Sequence, residues 1–582
     1  MQINRIYPIN FRINEYNTHH VEQNPAQNYK TLDVTEKYLD NLSRINSTIV
    51  KKNEYTQGKD FKYKNNLRSM IQNNQSVMMA IIPRTFTAED LNGDDKITIS
   101  EGEKNGTLLS AINRLDELKS DGINTIHILP IHPTGKKNAM GTAGSLYSPA
   151  KFVEDNGDLA IDPMLIERND KRSPKEQFRT FINECHKRNI KVMLDLPSCA
   201  SVDLFEAEPE LMAFGRNGED KTPQGWADIR MFEPWEDETK RELNPKLYEM
   251  HKQYVDSCIE LGIDGIRADV ARAKPTEFWD RLIKYSHKKD PEFAWLAESY
   301  TYECASPQVN MMYDRPEDLL RAGFDDYYGQ YHIFHDWKGA KEFNDYIKMN
   351  LNLSHRLPAG KSVIGSFLTH DDSTSMLHGG ENYCKLTTVL QTTMPMCNPY
   401  FIDGFQTGDY YDYKYRGTKN SETFTDNNIM DEHRFRLAIF NLSRKPGGNS
   451  PDIERIIKGC LKMRSENLDV LADTRSSFIE LNKLADKNDQ IITYARHNNG
   501  KTILVVANKN PNRHVTGIIE IPGLKPNQKL VNMVPEYGEK SEFQVSEGNL
   551  KVNLAPSDAY VFKIDTPYIE NDRKGHVYRQ RV

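Results

Sequence analysis

A repeated alternation of short apolar strands and amphipathic helices constrains the fold of this chain more than any other feature. It extends over residues 76–468, where a helix at 107–119 precedes a strand at 125–129, and a helix beginning at Ser173-Pro174 precedes a strand at 190–196. Strands separated by such helices pair in parallel through right-handed crossovers. About eight units of this kind predict a closed (β/α)8 barrel with long loops rather than an open doubly wound sheet.

The remaining elements of the repeat follow from the same two periodicities. Helices are predicted from Asn244-Pro245 and near Pro275, and strands at 77–83, after Gly262, and at 293–297, 362–368 and 394–402. No glycine-rich phosphate-binding loop follows the first of these strands, which weakens the alternative of a nucleotide-binding fold.

The first 75 residues differ from the repeat, because they are rich in Asn, Gln, Lys and Tyr and show little apolar periodicity. They are predicted to be a polar extension, partly disordered or with one helix at 32–50. Residues 567–582 are predicted to be a tail.

The charge pattern excludes several classes of partner. The 76 basic and 83 acidic residues give a net charge of -7, and no basic stripe indicates a nucleic-acid surface. No apolar run approaches membrane-spanning length, and the segment Met1 to Ile6 lacks the apolar core of a secretion signal. Seven widely spread cysteines indicate free thiols in a reducing compartment, so the sequence predicts a cytoplasmic protein. Its oligomeric state is left open.

Residues 90–101 have the donor spacing of a calcium loop of EF-hand or dockerin type. Oxygen donors fall at loop positions one, three, five, seven, nine and twelve. The candidate ligands are Asp90, Asn92, Asp94, Lys96 through its carbonyl, Thr98 and Glu101. Asp95 stands where glycine usually makes the sharp turn, although aspartate tolerates a positive φ better than most residues. The calcium is predicted to be structural, the alternative being an acidic surface loop without metal, and no organic cofactor is expected.

Charged side chains follow several of the predicted strands. Arg267 and Asp269 project to one face at the end of their strand, a pattern that by itself favours a structural ion pair. Barrels of this kind place their chemistry at the carboxyl ends of the strands, and those ends carry Asp195, Arg267, Asp269, Glu298, His370 and Asp371. No Cys/His cluster indicates a catalytic zinc, and no Gly-x-Ser-x-Gly segment indicates a serine nucleophile. A mechanism with two carboxylates is therefore favoured.

Three of these strand ends resemble signature segments of the α-amylase family, glycoside hydrolase family 13. They are Gly265-Ile266-Arg267-Ala268-Asp269, Ala297-Glu298 and Phe367-Leu368-Thr369-His370-Asp371, in the order of the family. The resemblance implies a (β/α)8 barrel with a loop domain after the third strand and a C-terminal antiparallel β domain. Residues 198–243 would be the short insertion, and residues 469–566, with strand patterns and an Asn499-Gly500 turn, the β domain.

The resemblance also implies roles for individual residues. Asp269 would be the nucleophile, Glu298 the general acid and then base, and Asp371 would hold sugar hydroxyls. Arg267 is expected to keep Asp269 ionised, whereas the apolar run 293–297 is expected to raise the pKa of Glu298 and keep it protonated. The substrate-binding residues would be Arg267, His370, Tyr147 as a stacking platform, Asp195 and Arg272.

Some segments depart from the pattern of ordinary amylases. Cys199-Ala200 replaces an Asn-His pair, Arg272-Ala273 replaces Lys-His, and Thr369 stands where asparagine is common. Segments 129–135, 144–147 and 399–405 look closer to the maltosyltransferase branch.

The function implied is a retaining enzyme that cleaves α-1,4-glucosidic bonds. It would act as a hydrolase or as a glucanosyl or maltosyl transferase in glycogen or maltodextrin metabolism. Two alternatives stay open. One is a catalytically silent barrel that binds a glycan or a protein partner. The other is a metal-dependent barrel enzyme in which the carboxylates are ligands.

Overall fold

The computed structural model describes residues 63–89, 91, 101–139, 145–215, 217–222, 228–300, 315–372, 374–409, 450–564 and 577–581. The predicted helix at 32–50 and five of the six predicted calcium ligands lie outside these described residues.

Eight parallel strands close into a barrel, which confirms the predicted fold. They are β1 (Met78–Ile81), β2 (Thr125–Ile128), β3 (Lys191–Leu196), β4 (Gly265–Ala268), β5 (Ala294–Ala297), β6 (Asp326–Tyr327), β7 (Ser362–Gly365) and β8 (Cys397–Ile402). Each strand pairs with its sequence neighbour, and β8 closes the ring by pairing with β1. The sequence missed β6, because two residues are too short to show a periodic pattern.

Helices cover the barrel and connect its strands. Their bounds are Leu67–Gln72, Pro83–Phe86, Leu115–Asp121, Pro174–Lys187, Val202–Ala207, Pro245–Leu261, Thr276–Lys289, Pro316–Ala322, Ala340–Ser354, Met376–Thr393, Pro451–Glu466 and Leu468–Leu471. The helix at 174–187 begins with the predicted capping box, in which Ser173 and Glu176 each bind the backbone amide of the other. Within the described residues, no helix is long and apolar enough to cross a membrane.

The segment after β3 forms the wall of the barrel mouth next to the predicted site. The strand Cys199–Ser201 pairs antiparallel with Ile229–Met231, and Trp235–Asp237 pairs with Glu242–Leu243. This pairing holds the chain immediately after Ser198 against the end of the barrel.

Two antiparallel sheets follow the barrel and fit a β-sandwich. Their strands are β9 (Ser477–Glu480), β10 (Asn482–Asp486), β11 (Ile491–Asn498), β12 (Lys501–Asn508), β13 (Val515–Glu520), β14 (Glu542–Ser546), β15 (Asn549–Leu554), β16 (Ala559–Ile564) and β17 (Val577–Arg579). The sheet orders are β16-β12-β11-β9-β17 and β10-β13-β15-β14. The prediction of a tail over 567–582 was wrong for β17, which pairs with β9.

Part of the predicted polar extension is packed under the barrel. The helix Leu67–Gln72 buries Leu67 and Ile71, and Arg68 Nε lies 3.0 Å from the carboxylate of Asp325. Asn65 binds Asp290 at 2.7 Å. Residues 63–72 therefore belong to the folded body at the amino-terminal ends of the strands, opposite the predicted site.

Candidate active site

One guanidinium group joins three carboxylates at the carboxyl ends of neighbouring strands. Arg267 is 1% exposed, and its Nη1 lies 2.9 Å from Asp195 and 3.0 Å from Asp269. Its Nη2 lies 2.8 Å from Glu298 Oε2. The four side chains form a single buried charge cluster of one cation and three acids.

The barrel register explains why residues so distant in sequence meet. Asp195 on β3 is the direct neighbour of Arg267 on β4, and the amide of Glu298 donates to the carbonyl of Ala268, which extends the pairing of β4 with β5. Parallel strands end at the same edge of the sheet. The predicted residues at these three strand ends are therefore brought together.

Tyr147 and His370 close the cluster on its open side. The Tyr147 hydroxyl donates to Asp195 Oδ2 at 2.8 Å and lies 2.8 Å from His370 Nε2. Their rings stack with centroids 5.5 Å apart. Since His370 follows β7 and Asp195 ends β3, this contact connects opposite sides of the barrel mouth.

Asp371 and Arg272 lie at the edge of the cluster. The Asp371 side chain is 29% exposed and its Oδ2 lies 3.8 Å from His370 Nε2. Its amide donates to Thr369 Oγ1 at 3.2 Å. Arg272 is half-buried in the turn Ala271–Ala273, directly after the β4 end. Neither side chain belongs to the Arg267 ion-pair cluster.

His127 is a site residue that the sequence reasoning missed. It is fully buried on β2, with Nε2 3.2 Å from Asp195 Oδ2 and Nδ1 2.9 Å from the Tyr400 hydroxyl. Burial lowers the pKa of His127, although Asp195 opposes this effect, so the imidazole is neutral near pH 7. A lone histidine within the apolar strand Thr125–Ile128 was the available signal.

Two backbone amides bind the candidate catalytic acids. The Ser198 amide donates to Asp269 Oδ2 at 3.0 Å, and the Ser198 hydroxyl donates to the Asp269 carbonyl. The Val270 amide donates to Glu298 Oε2 at 2.8 Å. Val270 has a φ of 34°, a strained conformation for a β-branched residue.

The protonation expected from the sequence is reversed in the structure. Burial raises the pKa of Asp269 well above its ordinary value, and the charges of Glu298 and Asp195 add to the rise while Arg267 opposes it. Burial also tends to raise the pKa of Glu298, but Arg267 and the Val270 amide outweigh this effect, so the pKa of Glu298 is lowered. The two carboxyls therefore have pKa values shifted in opposite directions.

Asp195 remains ionised. Burial alone would raise its pKa, but Arg267 and His127 bring that pKa below its ordinary value. The cluster thus holds the ionised carboxylate of Asp195 beside two carboxyls whose pKa values are shifted in opposite directions. Such a pair can supply a nucleophile and an acid at the same site.

The chain is similar in sequence to two maltosyltransferases. The chain is 24% identical over 429 residues to an α-1,4-glucan:maltose-1-phosphate maltosyltransferase from Corynebacterium glutamicum. This match covers 70% of this chain and 56% of the relative. A protein with the same name from Picrophilus torridus is 24% identical over 433 residues, covering 72% and 61%. No protein-family model matches the chain. These relatives support the resemblance of the chain to the α-amylase family.

Solved structures of amylases share the fold. A maltogenic α-amylase, AmyB, from Thermotoga neapolitana superposes with a TM-score of 0.61 at 20% identity, covering 85% of this chain and 100% of that one. An α-amylase from Lactobacillus plantarum gives 0.58 at 17% identity, with coverages of 85% and 100%. The chain spans about three fifths of the length of the first curated relatives that it matches.

One departure from the α-amylase family pattern, Cys199-Ala200, lies in the wall next to Asp269. Cys199 is buried with its Sγ 3.6 Å from Met231 Sδ, and Ala200 is fully buried in the same strand. An apolar sulfur contact therefore stands where the family usually has an Asn-His pair.

The predicted calcium loop is described only at its last ligand. Glu101 is exposed, and Asp90, Asn92, Asp94, Lys96 and Thr98 lie outside the described residues. In the described part of the chain, no group of three or more His, Cys, Asp or Glu side chains is arranged to hold a metal ion. Calcium binding stays a prediction.

Proposed function

We propose that this protein is a retaining enzyme that cleaves α-1,4-glucosidic bonds and passes the glycosyl group to water or to a sugar acceptor. The observation that carries the proposal is the convergence of Asp195, Asp269 and Glu298 on Arg267 at the barrel mouth. The names of the sequence relatives support a glucan substrate. A malto-oligosaccharide is the simplest substrate of this class.

The chemistry proceeds in two displacements. Asp269 attacks the anomeric carbon, a carbon–oxygen bond forms to its carboxylate, and the glycosidic bond breaks as Glu298 gives its proton to the leaving oxygen. An acceptor hydroxyl then gives its proton to Glu298 and attacks the same carbon, which releases Asp269. Two inversions retain the α configuration.

The sugar must enter between the two carboxyls. Retaining glycosidases need these groups roughly 5 to 5.5 Å apart. With the sugar between them, Asp269 keeps the Arg267 contact and the Ser198 amide, both of which favour its ionised form. Glu298 then carries the proton and acts as the general acid.

The surrounding side chains bind the sugar in this proposal. The Tyr147 ring offers an apolar platform for the reacting glucosyl unit, and His370 beside it offers a hydrogen bond. Asp371, partly exposed at the mouth, accepts hydrogen bonds from sugar hydroxyls. Asp195 binds the same unit from below, and Arg272, after the β4 end, faces the acceptor side.

Incubation with maltotetraose decides between hydrolysis and transfer. A transferase is expected to yield oligosaccharides longer than the substrate, because a second sugar outcompetes water at the covalent intermediate. A hydrolase yields only shorter products. Mass-resolved product sizing separates the two, with boiled enzyme as the control, and intact maltotetraose at high enzyme concentration would contradict both activities.

A catalytically silent, glycan-binding barrel is the second candidate. The observation in its favour is the ion pair between Arg267 and Glu298, which favours the carboxylate form of Glu298, whereas a general acid must carry a proton. Equal rates for the wild type and the Asp269→Asn variant on an activated maltoside would favour this candidate.

We also propose that residues 90–101 bind a structural calcium ion, and that the protein acts in the cytoplasm in glycogen or maltodextrin metabolism. Treatment with a chelator is expected to lower the melting temperature, since a ligand bound to the folded state stabilises it. Added calcium should restore the melting temperature, and the Glu101→Gln variant should lose most of this response. A melting temperature that ignores chelation in the wild type would contradict the calcium proposal.

A further inference from the structure

A fully buried lysine lies behind the candidate nucleophile. Lys274 has no exposed surface, and its ammonium group faces the rings of Phe232, Phe278 and Trp279 at 5.3–6.0 Å. An ammonium group has three N–H donors, yet within the described residues its one hydrogen bond runs to the Ser198 carbonyl at 3.4 Å. A charge held with so little hydrogen bonding costs stability, so a compensating charge must lie nearby.

The ionised carboxyl of Asp269 supplies such a charge. Burial lowers the pKa of Lys274 to about 8, while Cys199 and Asp269 oppose this effect. Ser198 links the two groups, since its carbonyl accepts from Lys274 and its amide donates to Asp269 Oδ2. Lys274 and Asp269 therefore bind the two main-chain polar groups of one residue.

Among the described residues, few other charged or titratable groups lie around Lys274, Ser198 and Asp269. Arg267, Asp195, Glu298 and Tyr147 act on Asp269 from the front. Behind it, Cys199 and His251 face Lys274; burial raises the pKa of the Cys199 thiol and lowers the pKa of the imidazole, so both are neutral at pH 7. Lys274 is thus the cation on the rear side of the nucleophile.

We propose that Lys274 is a positioning residue for Asp269: its ammonium group binds the carbonyl of Ser198, the residue whose amide holds the carboxylate, and supplies a second positive charge that favours the ionised nucleophile. This inference rests on the proposed function. Three acids share Arg267. If Lys274 acts as proposed, Arg267 is not the sole cation that keeps Asp269 ionised.

The test is the Lys274→Met variant, because methionine fills the aromatic pocket with an unbranched side chain of similar length and no charge. Loss of the cation makes the carboxyl pair bind protons more tightly. The acid limb of kcat/KM, measured with an activated maltoside, should therefore move to higher pH by about half a unit or more. A purely structural role would lower kcat or stability without moving this limb.

Lys361→Met is the matched control. Lys361 is also buried, its pKa is also lowered to about 8 by burial, and its Nζ donates to the Phe324 carbonyl at 2.6 Å. It lies at the amino-terminal start of β7, beside Asp325. Its loss should reduce stability but leave the acid limb in place.

Two further measurements keep the proposal testable if turnover or folding is poor. The pH dependence of covalent trapping by a fluorinated glycosyl fluoride, followed by mass spectrometry, reports the same ionisation at a single turnover. Lys274→Gln removes the charge but keeps a donor for the Ser198 carbonyl, and it should show the same shift. An unshifted limb in the Met variant, or a shift in Met but not in Gln, would overturn the charge role. An inactive wild type would instead refute the proposed function.

Discussion

In the Asp269→Asn variant, the rate of nitrophenol release from 4-nitrophenyl α-maltoside is expected to fall by ~10³-fold or more. An amide cannot form the ester bond to the anomeric carbon that the covalent intermediate requires. Substrate binding should change much less, because the contacts of Tyr147 and His370 remain. The measurement is kcat for the wild type and the variant, together with the melting temperature of each protein.

Asp280→Asn is the matched control for this variant. Asp280 lies on the outer helix Thr276–Lys289 and pairs with Lys284 at the surface, so the same chemical change should leave kcat as in the wild type. Activity retained by the Asp269→Asn variant at the wild-type level would remove Asp269 from the chemistry and with it the retaining mechanism.

Replacing Arg267 with methionine is expected to cost ~3–5 kcal/mol of stability at pH 7, the usual cost of leaving buried charge without its partner. Three buried carboxyls lose their common cation at once. The measurement is the melting temperature, or the denaturant midpoint, as a function of pH.

The pH dependence of this loss follows from the linkage of proton binding and folding. In the wild type, Arg267 lowers the pKa of Asp195. Ionised Asp195 therefore stabilises the folded state above the pKa of the unfolded chain, and this stabilisation is lost only as pH falls through the lower pKa of the folded state. Without the cation, burial raises the pKa values of the three carboxyls in the folded state above their values in the unfolded chain. The variant then becomes less stable as pH rises from the unfolded to the folded pKa values. The difference from the wild type should be smaller at pH 5 than at pH 7.

Arg464→Met provides the control for a buried guanidinium without carboxylates. Arg464 is 2% exposed and donates to the main-chain carbonyls of Thr392, Asn74 and Cys397. Its removal should destabilise the protein by a similar amount at pH 5 and pH 7. An Arg267→Met loss that is equally independent of pH would show that Arg267 acts through packing and not as the counter-charge of the acids.

Local sequence pattern was enough to predict the barrel and most of the charged cluster. Apolar periodicities of two and about 3.6 residues mark the strands and helices, and a barrel that closes in sequence order places all strand ends at one edge. Asp195, Arg267 and Glu298 could thus be assigned to one mouth without knowing their distances. The C-terminal strands followed from the same alternation, whereas β17 was missed, because three residues beside a polar segment carry too little pattern.

The details that control reactivity depend on contacts between distant segments. Ser198 binds Asp269 across 71 residues and Lys274 across 76, and His127 meets Asp195 across 68. No periodicity predicts such contacts.

The sequence by itself determined which elements form, in what order they close, and which acids reach the mouth, since these follow from side-chain polarity along the chain. Only the tertiary structure decided in which direction the pKa of each acid is shifted. That outcome depends on burial and on the distances from Asp269 and Glu298 to Arg267 and to the backbone amides, and these distances exist only after the barrel has closed.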